Sequence, residues 1–196
     1  MVADVIIVLY VSSFSGDTVT QLFTENFIQD LSSRLNIGAG DDDTRVAVVI
    51  ANETSSMISL DFNDGSSTTN LLWRLDDLFD ESHDAFPFSP FELIINQMLS
   101  HSNTGNRPEV RDFLVILTDD LPLNFLDNFF LNRIKREAEV LAVGLTPEVS
   151  ENKLIDLSSQ PNVINETYFY VTDISDADTS VQQIVDVMCS EYTTGT

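Results

Sequence analysis

Five continuous apolar runs alternate along this chain with segments in which apolar residues recur every third or fourth position. The runs are rich in branched aliphatic and aromatic residues, and they span 4–11, 45–51, 112–117, 140–145 and 168–171. A strand that is buried on both faces has a continuous apolar run, whereas a helix that covers a sheet shows the longer period. The alternation therefore predicts an α/β fold: a doubly wound, mostly parallel sheet with helices on both faces.

Helical segments account for most of the chain between these runs. Their apolar residues fall within 19–35, 71–79, 93–99, 125–134, 154–157 and 181–188. The segment 56–62 follows the second run so closely that we predict a hairpin, which gives the sheet six strands and one antiparallel edge strand. A length of 196 residues with 43% hydrophobic content predicts a single domain over residues 1–196.

The charge of the chain is strongly unbalanced. It carries 32 acidic and 9 basic residues, which gives a formal net charge of −23. Such a field repels phosphate backbones and anionic lipid surfaces, so we expect neither nucleic acid nor a membrane surface as a partner. No apolar run approaches the roughly 20 residues of a spanning helix, so membrane insertion is not expected either. The charge favours cations, basic proteins and mineral surfaces.

The first apolar run and the loop after it, segment 3–16, read Ala-Asp-Val-Ile-Ile-Val-Leu-Tyr-Val-Ser-Ser-Phe-Ser-Gly. This segment resembles the opening of a von Willebrand factor A domain, with collagen- and matrilin-type extracellular matrix modules the most similar. Three later segments resemble later strands of that family: 45–49, 113–120, which ends in Leu-Thr-Asp-Asp, and 139–145, which contains Gly144. The resemblance covers essentially the whole chain. It implies a Rossmann-like fold with a ligand site at the carboxyl ends of the central strands.

In that family an Asp-x-Ser-x-Ser loop, a Thr and a further Asp hold a divalent cation, in what is called the metal-ion-dependent adhesion site. The resemblance puts Tyr10 in place of the first Asp, Phe14 in place of the second Ser and Pro87 in place of the Thr, with a serine two residues later as the nearest hydroxyl. Ser12 and Asp119 remain as remnant positions. A phenol is neutral at ordinary pH and hard cations need oxygen ligands. We therefore expect a degenerate site with no bound metal and no cofactor.

The same substitutions put aromatic residues where ligands of that family dock. We expect Tyr10, Phe14, Phe86, Phe88 and Phe91 to form an apolar surface there, and all of these except the last are candidate partner-binding residues. Aromatic residues are enriched at protein interfaces. In the alternative arrangement, Phe14 and Phe88 fold inward and fill the space that the metal would occupy.

No catalytic arrangement is recognisable in the sequence. His83 and His101 are isolated, the serines within 12–15 do not form a nucleophile elbow, and no Gly-rich phosphate loop follows a strand. The chain is predicted not to be an enzyme. The resemblance implies a secreted adhesion or matrix-assembly module of the extracellular matrix, which binds protein partners without an intact metal site.

Two alternatives make the charge itself the function. Acidic clusters at 41–43, 76–84 and 173–178 are each predicted to be solvated surface, but together they would gather Ca²⁺ diffusely. The first alternative is therefore an acidic calcium- or mineral-interacting matrix protein of the biomineralisation type, since invertebrate shell and byssal matrices contain such domains. The second is halophilic adaptation, because many Asp and few Lys keep a surface hydrated in salt.

Covalent modification has three candidate positions. Sequons make Asn52 and Asn165 glycosylation candidates in a secreted chain, although two sequons are about what chance would produce here. Cys189 is the single cysteine, so no internal disulfide can form. Three states of this cysteine remain open: a free thiol, an intermolecular disulfide bond, or a disulfide bond to a cysteine outside this segment.

Overall fold

A computed structural model describes residues 1–11, 18–52, 55–77, 89–100, 102–119, 122–171 and 174–190. The strands are β1 (Asp4–Tyr10), β2 (Arg45–Ala51), β3 (Ser56–Leu60), β4 (Asp112–Thr118), β5 (Glu139–Gly144) and β6 (Tyr168–Tyr170). The helices are α1 (Thr18–Arg34), α2 (Thr68–Asp77), α3 (Pro90–Leu93), α4 (Phe125–Ile134), α5 (Glu151–Leu157) and α6 (Ile174–Ser190). No helix in this part of the chain has both the length and the hydropathy to cross a membrane.

The strands form one sheet in the order β3-β2-β1-β4-β5-β6. The central strand β1 pairs in parallel with β2 and β4, and the register aligns Asp4 with Arg45 and Asp112. β3 pairs antiparallel with β2, with an irregular register between Val48 and Val49. The predicted fold class is therefore confirmed: a mostly parallel six-stranded sheet with one antiparallel edge strand and helices on both faces.

Successive residues of β1 enter two different core layers. Val5, Ile7 and Leu9 pack in the layer that contains residues of α1, α2 and α6. Ile6, Val8 and Tyr10 pack in the layer that contains residues of α3, α4 and α5. Because both faces are covered, every residue of β1 is buried. Full burial of one aliphatic side chain contributes roughly 1.5–3 kcal/mol, so this strand is a major source of stability.

The predicted helix over 93–99 differs from the observed one. α3 is α-helical only to Leu93 and continues as a π-helical segment, Ile94–Leu99. The hydroxyl of Ser100 donates to the carbonyl oxygen of Ile95, five residues earlier, at 2.5 Å. The wider turn still buries Ile94 and Met98 against the sheet, so the apolar pattern predicted the packing but not the helix type.

A buried ion pair ties together the amino-terminal edge of the sheet. Arg107 is 7% exposed and Asp4 is fully buried. Nε and Nη2 of Arg107 donate to Oδ1 of Asp4 at 3.0 and 2.5 Å, and the Arg107 backbone N–H donates to Oδ2 at 2.9 Å. The same guanidinium donates to the carbonyl oxygen of Asp43 at 3.0 Å. Arg107 therefore also holds the backbone of the acidic loop at 41–43.

Asp112, the first residue of β4, lies beside this ion pair. Its Oδ1 is buried and has no hydrogen-bond partner within the described residues. Burial, together with the negative charges of Asp4 and Glu137, raises the pKa of Asp112 to about 7. This edge is opposite the one at which the sequence predicts a ligand site.

Candidate partner-binding site at the carboxyl edge of the sheet

The carboxyl ends of β1 and β4 lie side by side. Tyr10, the last residue of β1, is in register with Thr118, the last residue of β4. Asp119 follows Thr118 directly. Tyr10, at the position of the family's first metal ligand, and Asp119, one of the two remnant ligands, therefore lie at the ends of neighbouring strands. The other remnant, Ser12, lies outside the described residues, as do Phe14, Phe86, Pro87 and Phe88. The predictions made for those residues remain predictions.

Tyr10 is buried in this structure, with 2% of its surface exposed. Its ring packs against that of Phe91 with centroids 5.8 Å apart, and the Nζ atom of Lys153 lies 5.9 Å from the ring centroid. Its hydroxyl lies 2.9 Å from the carbonyl oxygen of Pro122 and 3.1 Å from Oδ2 of Asp127, so it donates one proton toward two acceptors. The residue joins β1 to the start of α4.

This burial corrects the expectation that Tyr10 and Phe91 present aromatic surface to a partner. Phe91 is fully buried under the sheet, and Tyr10 follows Ile6 and Val8 into the same core layer. The reason is the period of the strand: side chains two residues apart share a face, and that face is covered by α3, α4 and α5. Both rings stabilise the core and offer no surface to a partner here.

Asp127 is a buried carboxylate beside Tyr10 that the sequence pattern did not single out. It is 2% exposed and closes a capping box at the start of α4: its N–H donates to the Asn124 side chain at 2.9 Å, and its Oδ2 accepts from the Asn124 N–H at 3.0 Å. A carboxylate in the first turn also suits the positive end of the helix dipole. The Asn-x-x-Asp spacing is visible in the sequence and is the signal that would have revealed it.

The residues described at this edge do not fit a divalent cation at the first ligand position. The oxygen of Tyr10 is the hydroxyl of a neutral phenol and is already directed at Pro122 and Asp127. A hard cation is held by carboxylate and carbonyl oxygens that are open to it. Within the described ranges, no group of three or more His, Cys, Asp or Glu residues is placed to hold a metal ion.

The outer face of α4 is apolar. Phe125 is 83% exposed, and Leu126 and Phe129 are each 52% exposed. The sequence predicted a helix within 125–134, which is confirmed, but the apolar pattern did not determine that Asp127, Leu131 and Ile134 would be its buried residues. The helix has apolar residues on nearly every side, so periodicity alone does not determine which side packs inward.

A cleft of about 360 Å³ adjoins this helix. Its lining comes from the start of α4 and from α5, and includes Pro122, Leu123, Asn128, Ser150, Lys153 and Asp156. The carbonyl of Pro122 is the one that accepts from Tyr10, so the cleft lies directly beside the buried tyrosine. An apolar ridge and a neighbouring cleft therefore occur together at the carboxyl edge of the sheet.

The candidate modification positions differ in their surroundings. Asn52 is partly exposed, and its Oδ1 accepts from the N–H of Ser55 at 3.0 Å in the turn between β2 and β3. Asn165 is exposed and has a φ of 61°, a conformation that Asn tolerates better than most residues. Cys189 is exposed near the end of α6.

Comparison with solved structures shows the same fold in a matrix protein and in a manganese-loaded protein. Proximal thread matrix protein 1 of the mussel byssus is 19% identical, with a TM-score of 0.74 over 96% of this chain and 46% of its own. A second structure of that protein, with zinc in its metal-ion-dependent adhesion site, is 15% identical with a TM-score of 0.75. The chain thus spans about half the length of the byssus protein.

Manganese-loaded TRAP protein of Plasmodium vivax is also similar, at 13% identity and a TM-score of 0.65 over 91% of this chain and 71% of its own. No curated protein matches the sequence. The sequence profile of the von Willebrand factor type A domain, however, matches residues 4–186. Because that match spans nearly the whole chain, the protein belongs to the von Willebrand factor type A domain family.

Proposed function

We propose that this domain is a secreted adhesion or matrix-assembly module of the extracellular matrix, which binds protein partners without a bridging metal and catalyses no reaction. Domains of this family are typically adhesion or matrix-assembly modules and are generally not enzymes. The matrix origin of the byssus protein supports an extracellular location. Within the proposal, Phe14, Phe86 and Phe88 remain candidate partner contacts, and Asn165 is the more accessible glycosylation candidate.

The observation that carries the proposal is the burial of Tyr10. A family member that bridges to its ligand through a metal needs an anionic oxygen at this position. Here the position contributes a phenol hydroxyl that is used to hold the start of α4. Losing the anionic ligand removes much of the attraction for a divalent ion, so adhesion has to rely on direct protein contacts.

Binding to a panel of purified extracellular matrix proteins, measured by biolayer interferometry, tests this proposal. We expect saturable binding to at least one of them, with the same Kd in MgCl₂ and in EDTA. The matched control is Asp119→Asn, which removes the remaining anionic ligand and should leave the Kd unchanged. Loss of binding in EDTA or in Asp119→Asn would contradict metal independence, and no saturable binding to any matrix protein would contradict the adhesion role.

The charge supports a second candidate, a calcium- or mineral-interacting matrix protein. The net charge is −23, and the loop at 41–43 exposes Asp41 and Asp42. The carboxylate of Asp43 in the same loop already holds a hydrogen bond, because its Oδ2 accepts from the Gly40 N–H at 2.9 Å. Equilibrium dialysis against Ca²⁺ separates the two functions: weak uptake of many ions favours the mineral role, and negligible uptake rejects it.

A further inference from the structure

Two carboxylates share one buried cation at the amino-terminal edge of the sheet. Asp4 of β1 and Asp112 of β4 are in register on neighbouring parallel strands, so both side chains lie on one face, with backbones about 5 Å apart. Asp4 accepts three hydrogen bonds from Arg107. Asp112 has a buried Oδ1 without a hydrogen-bond partner in the described part of the chain. The guanidinium therefore satisfies one carboxylate and leaves its neighbour without a donor.

The charges near Asp112 make its ionisation unfavourable. The charged residues on this face of the sheet come from β1, β2, the segment before β4 and the ends of α4 and α5: Asp4, Arg45, Arg107, Arg133, Lys135, Arg136, Glu137 and Asp156. Asp4 and Glu137 oppose a negative charge on Asp112, whereas Arg107 favours it. Together with burial, the two acidic neighbours raise the pKa of Asp112 to about 7.

The other cations near this edge have partners of their own or lie in solvent. Arg45 donates from Nη1 to a backbone carbonyl at 2.9 Å, and Lys135 donates from Nζ to another at 2.6 Å. The two arginines at the end of α4 are exposed. Arg111 pairs with Glu139 at 3.5 Å and lies over the ring of Phe113, which belongs to the opposite core layer. Arg107 is therefore the cation best placed to respond when Asp112 ionises.

Arg107 also holds the acidic loop. Its Nη1 donates to the carbonyl oxygens of Gly40 and Asp41 at 3.4 and 3.2 Å, and its Nη2 donates to that of Asp43 at 3.0 Å. The bonds from Nη1 are the longest that this guanidinium makes, and their acceptors are neutral. The bonds to Asp4 are charge-assisted and stronger. Nη1 is therefore the donor that Arg107 gives up most easily.

We propose that Asp112 acts as a pH switch for the acidic loop: while Asp112 is protonated, Arg107 holds the loop, and when Asp112 ionises, Nη1 of Arg107 turns to its carboxylate and releases the carbonyls of Gly40 and Asp41. A buried carboxylate without a donor is costly, and this movement supplies one. The proton passes to water above the midpoint and returns below it. An ordinary carboxyl, with a pKa near 4, does not respond around neutral pH. The inference does not depend on the proposed function.

Hydrogen–deuterium exchange of the loop amides tests the inference. The wild type and Asp112→Asn, which mimics the protonated acid, are compared at the same pH, at about pH 5.5 and about pH 8, so that intrinsic exchange rates cancel. The reporters are the N–H groups of Gly38 and Asp43, which are hydrogen-bonded within residues 38–44. The matched control is Glu109→Gln, which removes an exposed carboxylate from the segment before β4. Carboxyl carbon NMR of the wild type follows the Asp112 titration itself.

We expect the loop amides of the wild type and Glu109→Gln to exchange at least about fivefold faster than those of Asp112→Asn at the higher pH, and equally at the lower pH. In the wild type, the Asp112 carboxyl signal and the loop amide signals should share one midpoint near pH 7. Equal loop exchange in wild type and Asp112→Asn at the higher pH would overturn the inference. An Asp112 midpoint below about pH 5, or faster exchange that extends equally to β2, would also overturn it.

Discussion

Replacing Tyr10 by Asp restores the residue type that the family uses to hold a metal, and we expect it to damage the fold. Removing a buried aromatic side chain costs about 3–5 kcal/mol. The new carboxylate would lie near that of Asp127, whose Oδ2 is 3.1 Å from the Tyr10 hydroxyl, and a buried unpaired charge costs several kcal/mol more. The sum is comparable to the whole free energy of unfolding of a typical domain, about 5–15 kcal/mol.

Thermal melting followed by circular dichroism, with and without MgCl₂, measures this effect. Tyr10→Ala is the matched control that creates the cavity without the charge, and Tyr10→Phe removes only the hydroxyl at a cost of about 1 kcal/mol. We expect Tm to fall in the order Phe, Ala, Asp, and we expect Mg²⁺ not to rescue the Asp variant. A Tyr10→Asp protein that is as stable as the wild type, or whose Tm rises steeply with Mg²⁺, would show that this position can still accept a metal ligand.

Three further predictions concern the charged groups. Arg107→Ala should lower the free energy of unfolding by about 3–5 kcal/mol because Asp4 is left buried and unpaired, whereas Arg111→Ala, which breaks a more exposed pair, should cost at most about 1 kcal/mol in urea denaturation. Because the pKa of Asp112 is raised, the folded state keeps a proton that the unfolded state loses between about pH 4 and pH 7. The wild type therefore loses stability as the pH rises through that window, and Asp112→Asn should gain stability relative to it. A stability difference that is independent of pH would contradict this. Tm should rise from low to moderate NaCl because the net charge of −23 is screened, and a flat Tm would argue against self-repulsion.

The strands of the sheet were predictable because each one is marked by a short stretch of its own sequence. Buried parallel strands need continuous apolar runs, so the run at 45–51 coincides with β2 and the other strands differ by one or two residues at their ends. The antiparallel edge strand followed from the short connection after β2. The π-helical segment at Ile94–Leu99 was not predicted, because it has the same apolar residues as an α-helix.

The site was less predictable because it depends on which surface each element meets. Tyr10 was expected at the surface by resemblance to a metal ligand, yet the two-residue period of β1 carries it into the core. Phe125 and Phe129 were predicted only as members of a helix, and the apolar pattern did not determine that they would be exposed while Leu131 and Ile134 are buried. Both outcomes depend on the surface that each element meets, and for Tyr10 this includes contacts with residues more than 100 positions away in the sequence.

Isothermal titration calorimetry of the wild-type domain with MgCl₂ and MnCl₂ measures directly whether this edge of the sheet binds a metal ion. We expect only weak heats without a stoichiometric site, and the same titration for Asp119→Asn as for the wild type. A single saturable site that disappears in Asp119→Asn would contradict this expectation and would place a functional adhesion metal at this edge despite Tyr10.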